Sequence, residues 1–147
     1  WIVGGTPPPE IRAYDERPNI TVTGFVDDVR DYMAKAKVMV VPLLAGGGTR
    51  LKILEGLSYG VPTVSTSIGA EGIDVTHEQD ILLADDAQRF ADEVVRLLGD
   101  AELRRKLAQN GRRLVDQQYS WQAVGRSLRG YLSEAARPSS EVAQAAD

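Results

Sequence analysis

Short apolar runs rich in β-branched residues and bounded by Gly or Pro recur at residues 1–3, 20–23, 38–41, 63–65 and 81–83. Runs of this length and composition predict β-strands. Segments of helical character lie between them, at residues 10–15, 28–36 and 50–59. An alternation of β and α of this kind predicts a parallel sheet covered by helices. The run Val38-Met39-Val40-Val41 is apolar at every position, the signature of a strand buried on both faces. In the third helix Leu51, Leu54 and Ser58 are expected to face the sheet, with Lys52, Glu55 and Tyr59 on another strip.

Beyond residue 86 the pattern becomes purely helical. Phe90, Val94, Leu97 and Leu98 form one apolar stripe; Leu103, Leu107, Leu114 and Val115 form a second; Trp121, Val124, Leu128, Tyr131 and Leu132 form a third. Residues 138–147 carry no aromatic side chain and little to bury, which predicts a disordered tail after a domain spanning 1–137. The expected fold class is thus α/β, a Rossmann-like parallel sheet followed by C-terminal helices. The chain opens on a strand-like run at Trp1 instead of a Met, so it is expected to begin inside a larger protein.

Composition narrows the chemistry. The 147 residues include no cysteine and one histidine, so neither a disulfide framework nor a thiolate or multi-histidine metal site is expected. His77 itself, in Thr76-His77-Glu78-Gln79-Asp80, reads as a solvated loop residue. No apolar run is long enough for a membrane span and no secretory leader opens the chain, which points to the cytoplasm. The net charge of −4 is unevenly spread: residues 1–100 carry 9 Lys and Arg against 16 Asp and Glu, residues 101–137 carry 8 against 3. An acidic body argues against nucleic-acid binding. The basic run Arg104, Arg105, Lys106, Arg112, Arg113, Arg126 and Arg129 reads first as a solvated helix face; the alternative is peripheral contact with a neighbouring domain or the anionic inner membrane surface.

The stretch richest in chemistry is Pro42-Leu43-Leu44-Ala45-Gly46-Gly47-Gly48-Thr49-Arg50-Leu51-Lys52-Ile53-Leu54-Glu55. A strand runs into three glycines and then into a helix whose expected cap is Thr49. Ligands of open parallel sheets bind outside the carboxyl ends of the strands, and a helix N-terminus offers unpaired N–H groups to an anion. Glycines let backbone approach a diphosphate closely, while Arg50 and Lys52 supply positive charge. Glu55 stands six residues past Thr49, roughly 9 Å along the helix axis. A carboxylate there can accept from both hydroxyls of a ribose next to the diphosphate; an ion pair with Lys52 is the alternative. Neither the Walker loop nor the dinucleotide fingerprint Gly-x-Gly-x-x-Gly occurs, so an ATPase or NAD enzyme is disfavoured.

Taken in order, Val3-Gly4-Gly5, Val22-Thr23-Gly24-Phe25-Val26, Val40-Val41-Pro42, Gly46 to Glu55, Gly60-Val61-Pro62-Thr63-Val64-Ser65-Thr66, Gly69-Ala70-Glu71-Gly72, Ile81-Leu82-Leu83 and Tyr119-Ser120-Trp121 resemble the donor-binding half of family-4-type, GT-B-fold glycosyltransferases. The resemblance covers about residues 1–135. It implies that a nucleoside-diphosphate sugar lies over the carboxyl edge of the sheet. Glu55 would match the second glutamate of the family's Glu-x7-Glu motif and hold the ribose. The backbone of Gly46, Gly47, Gly48 and Thr49 would lie against the diphosphate and sugar, Arg50 and Lys52 would stabilise the leaving diphosphate, and Val26 would border the base. The resemblance implies no metal or other cofactor, because positive groups replace it.

Two departures qualify the likeness. The motif's first glutamate falls on Gly47, so no catalytic carboxylate is assigned, and related sequences resemble this chain in their Gly-Gly-Gly-Thr-Arg-x-Lys form. The family's first strand and helix of the donor domain, and its acceptor-binding domain for a glycan or lipid, are not among these residues. In the family's 3-2-1-4-5-6 order that strand lies between those predicted at 1–3 and 38–41. Two apolar edges would then be exposed, so the chain alone is expected to bind donor weakly and to self-associate. The reading is a glycosyltransferase donor domain, with a non-catalytic nucleotide-binding remnant or a GT-B-type sugar-nucleotide epimerase as alternatives.

Overall fold

The computed structural model describes residues 1–136, so the tail expected at 138–147 lies outside the described residues. Two parallel sheets form. In the first, β1 (Ile2–Val3) pairs with β2 (Val22–Gly24), with Ile2 opposite Val22. In the second, β3 (Met39–Val41), β4 (Thr63–Ser65) and β5 (Leu82–Leu83) lie in the order β3-β4-β5. The two sheets are not hydrogen-bonded to each other: β1 pairs only with β2, and β3 forms one edge of the second sheet.

The helices follow the predicted alternation but are shorter. The segment expected at 10–15 forms α1 (Pro9–Arg12), with Pro9 at its first turn, and a 3-10 turn at Ala13–Glu16. The segment expected at 28–36 contributes α2 (Arg30–Met33). Then come α3 (Leu51–Ser58), α4 (Ser67–Ala70), α5 (Ala87–Gly99), α6 (Ala101–Leu114), a π turn at Val115–Tyr119, and α7 (Trp121–Ala135). Side-chain caps fix the starts of the later helices. Asp86 accepts from the amides of Gln88 and Arg89, Asp100 from Leu103, and Ser120 from Ala123.

The β3-β4-β5 sheet has one buried cluster built on Val41, Ile53, Leu57, Ile81 and Leu114, and another on Val64, Leu82, Leu97, Leu103 and Leu107. Register puts Val40, Val64 and Leu82 side by side on one face. Val64 and Leu82 are buried there, but Val40 is 48% exposed. The strand expected to be buried on both faces is thus an edge strand, with α5 packed over β4 and not over β3. Two further expectations are corrected. Ile53, Gly56 and Leu57 face the core, and Leu51 points to solvent, because Gly56 lets the helix close on Met39. The apolar stripe of α7 (Trp121, Val124, Leu128, Tyr131 and Leu132) is exposed, as is Leu98 of α5, since no described element packs on either position.

Glycine decides how closely α4 packs. A Cβ at Gly69 would stand 2.4 Å from Ser65 Oγ and 3.1 Å from the Val41 carbonyl oxygen. Gly125, in the middle of α7, has open space around it. Gly69→Ala is expected to lower stability by about 1–3 kcal/mol through overpacking, while Gly125→Ala raises it by roughly 0.5–1 kcal/mol through helix propensity. Urea midpoints of the two variants check both signs.

Candidate functional site at the carboxyl edge of the sheet

The carboxyl ends of β3, β4 and β5 are sewn together by short polar side chains. Thr66 Oγ1 donates to the carbonyl of Leu43 and accepts from the amide of Gly69, so it ties the loop after β3 to the start of α4. Ser65 Oγ donates to the carbonyls of Val41 and Thr66. Beyond β5, Asp85 accepts from the Ser67 amide at 2.7 Å and from its hydroxyl at 2.8 Å. These bonds, led by the one from the Ser67 backbone, hold the Asp85 carboxyl below the usual range.

The glycine loop lies on this edge, between β3 and α3. Gly48 sits at φ 81°, where any side chain is strained, and Gly46 at φ 152°. Arg50 turns back beneath the loop and is only 6% exposed. Its Nη2 donates to the Gly46 carbonyl at 3.1 Å and its Nη1 to the Gly47 carbonyl at 3.3 Å. Nη2 also meets Glu71 Oε2 at 3.1 Å, across from the end of α4. Arg50 Nε is buried without a hydrogen-bond partner.

The helix starts later than expected. Thr49 is not the cap: Arg50 is, at φ −79° and ψ 50°, with no side-chain cap bond, while the Thr49 carbonyl accepts from the Leu51 amide. Arg50 was expected to present charge outward; its guanidinium is instead buried behind the loop. Lys52 and Glu55 are both exposed on the outer face of α3. The Lys52–Glu55 ion pair does not form, and among the described residues the Glu55 carboxylate has no hydrogen-bond or ion-pair partner.

The structure therefore brings Gly46, Gly47 and Arg50 into direct contact, with Gly48 next in the loop, and sets Lys52 and Glu55 on one helix face beyond them. Val26, half-buried, belongs to the other sheet, in the loop after β2. Glu71 and Thr66 carry contacts that sequence reading did not assign, although a carboxylate bracketed by Gly69 and Gly72 was already visible. The basic run is partly committed within the fold. Arg104 donates to the carbonyls of Leu97 and Leu98, Arg105 pairs with Glu102, and Arg112 reaches Asp116 and the Ser58 carbonyl. His77 is exposed, as expected, and accepts from the Leu83 amide through Nδ1, a contact the sequence did not show. No group of metal-ligating side chains occurs among the described residues, and no described helix is long and apolar enough to cross a membrane.

A parallel α/β domain with a glycine loop at the carboxyl edge of its strands is of the open-sheet α/β class, whose ligands bind outside that edge. Residues 1–100 match the family model for glycosyl transferases group 1, and the chain belongs to that family. Its fold is that of the C-terminal domain of GT-B glycosyltransferases. The C-terminal domain of the group 1 family glycosyl transferase LpcC of Francisella tularensis superposes with a TM-score of 0.65, at 24% identity over 76% of this chain and 60% of that one. Anabaena HepE, solved in complex with UDP, gives a TM-score of 0.77 at 19% identity over 90% of this chain and 40% of that one. An uncharacterized 44.6 kDa protein of the cps region of Klebsiella pneumoniae is 28% identical over 91 residues, 62% of this chain. The chain spans about a quarter of the length of that relative, 24%.

The Asp85 bonds have a pH signature. A carboxyl whose folded pKa is depressed stabilises the fold above the ordinary carboxylate range and loses that contribution as pH falls through its folded value. Asp85→Asn is expected to lower the urea midpoint at pH 7, and the gap to the wild type narrows only as pH falls below the ordinary Asp value of about 4, through the lower folded value. Urea titrations at stepped pH measure it.

Proposed function

We propose that this chain is the donor-binding domain of a glycosyltransferase that transfers a sugar from a nucleoside-diphosphate sugar to a glycan or lipid acceptor. The observation that carries the reading is the pairing of a glycine loop on the carboxyl edge of the sheet with an exposed, unpaired carboxylate at Glu55, further along the helix that the loop feeds. The loop amides meet the diphosphate, and Glu55 accepts from the hydroxyls of the attached ribose. Lys52 and the N-terminus of α3 stabilise the charge that develops on the leaving diphosphate, with Arg50 acting through the loop. Val26 and the loop after β2 border the base. HepE, which shares this fold, has been crystallised with UDP and with UDP-glucose, which supports the same class of donor here.

The split into two sheets bears on the rest of the enzyme. A further parallel strand joining β1 to β3, as the family's strand order implies, would complete a continuous sheet. Donor binding by this stretch alone is accordingly weak, and the acceptor is held by a further domain.

Glu55→Gln tests the ribose contact in the full-length gene product, since it keeps size and helix propensity but removes the charge of the acceptor. The expected loss in affinity for the nucleoside-diphosphate sugar is about 1–3 kcal/mol, roughly 5- to 150-fold in Kd by isothermal titration calorimetry. Unchanged affinity would reduce Glu55 to a surface charge and remove the ribose contact from the reading.

A further inference from the structure

We propose that Arg50 and Glu71 form a positioning brace behind the glycine loop: Arg50 aims the loop amides at the diphosphate from beneath and does not itself touch the ligand. The proposal rests on the donor-binding reading above and assigns how that site is held in shape.

Peptide planarity carries the argument. In a trans peptide the carbonyl of one residue and the N–H of the next point in opposite directions. The guanidinium of Arg50 holds the carbonyls of Gly46 and Gly47, at 3.1 and 3.3 Å. The amides that follow, those of Gly47 and Gly48, are thereby turned away from Arg50. Among the described residues neither amide has an acceptor. Two successive N–H groups aimed outward on one side of a loop make a concavity suited to an anion.

Glycine alone would not hold that geometry. Three consecutive glycines have more backbone freedom than any other tripeptide and lose the most on being ordered. Preorganised donors assist a reaction because no reorganisation is left for the moment of charge development. A rigid, planar fork fixed at one end by a carboxylate supplies the missing stiffness. Arg fits this role and Lys does not, because an ammonium cannot span two carbonyls and a carboxylate in one plane.

Stability does not explain the arrangement. The Arg50 side chain is buried with its Nε unpaired, a penalty of the kind that a purely structural side chain avoids. Glu71 is 73% exposed, and an ion pair with so exposed a partner adds little to folding. Its position on a separate element, at the end of α4 after β4, is what lets it fix the guanidinium from the side.

The direct-contact alternative makes opposite predictions. If Arg50 reached out to the diphosphate, Glu71 would compete with the ligand for it. Removing Glu71 would then tighten binding, and Arg50→Lys would keep most of it. The brace requires Glu71→Ala to weaken UDP or GDP binding by about three- to tenfold and Arg50→Lys by about tenfold or more. Affinity for uridine or guanosine, which lack the diphosphate, stays within twofold of wild type. The measurement is calorimetric titration of the full-length gene product and both variants with UDP, GDP and the two nucleosides. Glu71 is exposed, so its variant keeps the fold and the test stands even if Arg50→Lys does not fold. Equal losses for nucleoside and nucleotide, unchanged affinity in Glu71→Ala, or a gain there overturns the brace while the donor-binding reading survives. Failure of the wild type to bind any of these nucleotides overturns both.

Discussion

Burial of one arginine under three glycines is the constraint on which the site depends. The loop after β3 has to be glycine to bring backbone amides into the open, and glycine by itself is the residue least able to hold them there. Arg50 reconciles the two demands by fixing carbonyls from inside, at the expense of an unpaired Nε. The same side chain links the loop to Glu71 on the neighbouring βα unit. One guanidinium therefore holds both the loop and its junction with the next strand end.

The carboxyl edge of the sheet is stiff for a second reason. Thr66 and Asp85 each join one strand end to the next through hydrogen bonds, Ser65 reaches Val41 more loosely at 3.4 Å, and Gly69 lets α4 lie against Ser65 and the Val41 carbonyl. The opposite holds at β1 and β3, each of which pairs on one side only, and along α7, whose apolar stripe is exposed. Rigidity is concentrated where a ligand would be held. Unpaired edges and faces are concentrated where a larger assembly would continue.

Much of the architecture was legible in the sequence because it rests on local periodicity. All five strands occur at the predicted β-branched runs, and α5 and α6 bury the predicted Leu97, Leu103 and Leu107, with Phe90 and Val94 half-buried against them. What was not legible depends on neighbours. Val40 reads as core, but β3 is an edge strand that α3 covers only on the face of Met39 and Val41, and the helical stripe of Trp121 to Leu132 is exposed. The rotation of α3 follows from Gly56 against Met39, a contact that no window of residues reveals. At the site, the glycine loop and Glu55 were found from their spacing. The turned-in Arg50 was not, since charge in a sequence gives no sign of whether it meets solvent, ligand or its own backbone. Glu71 lies 21 positions away, beyond the reach of local pattern.

Selective 15N-glycine labelling of the full-length gene product offers the most direct view of the loop. On addition of UDP or GDP, the amide resonances of Gly47 and Gly48 are expected to shift downfield, as N–H groups do on meeting a phosphate oxygen, and to stay in place with uridine or guanosine. Saturating nucleotide that leaves these two resonances unmoved while other glycines respond would contradict a diphosphate cradle at this loop.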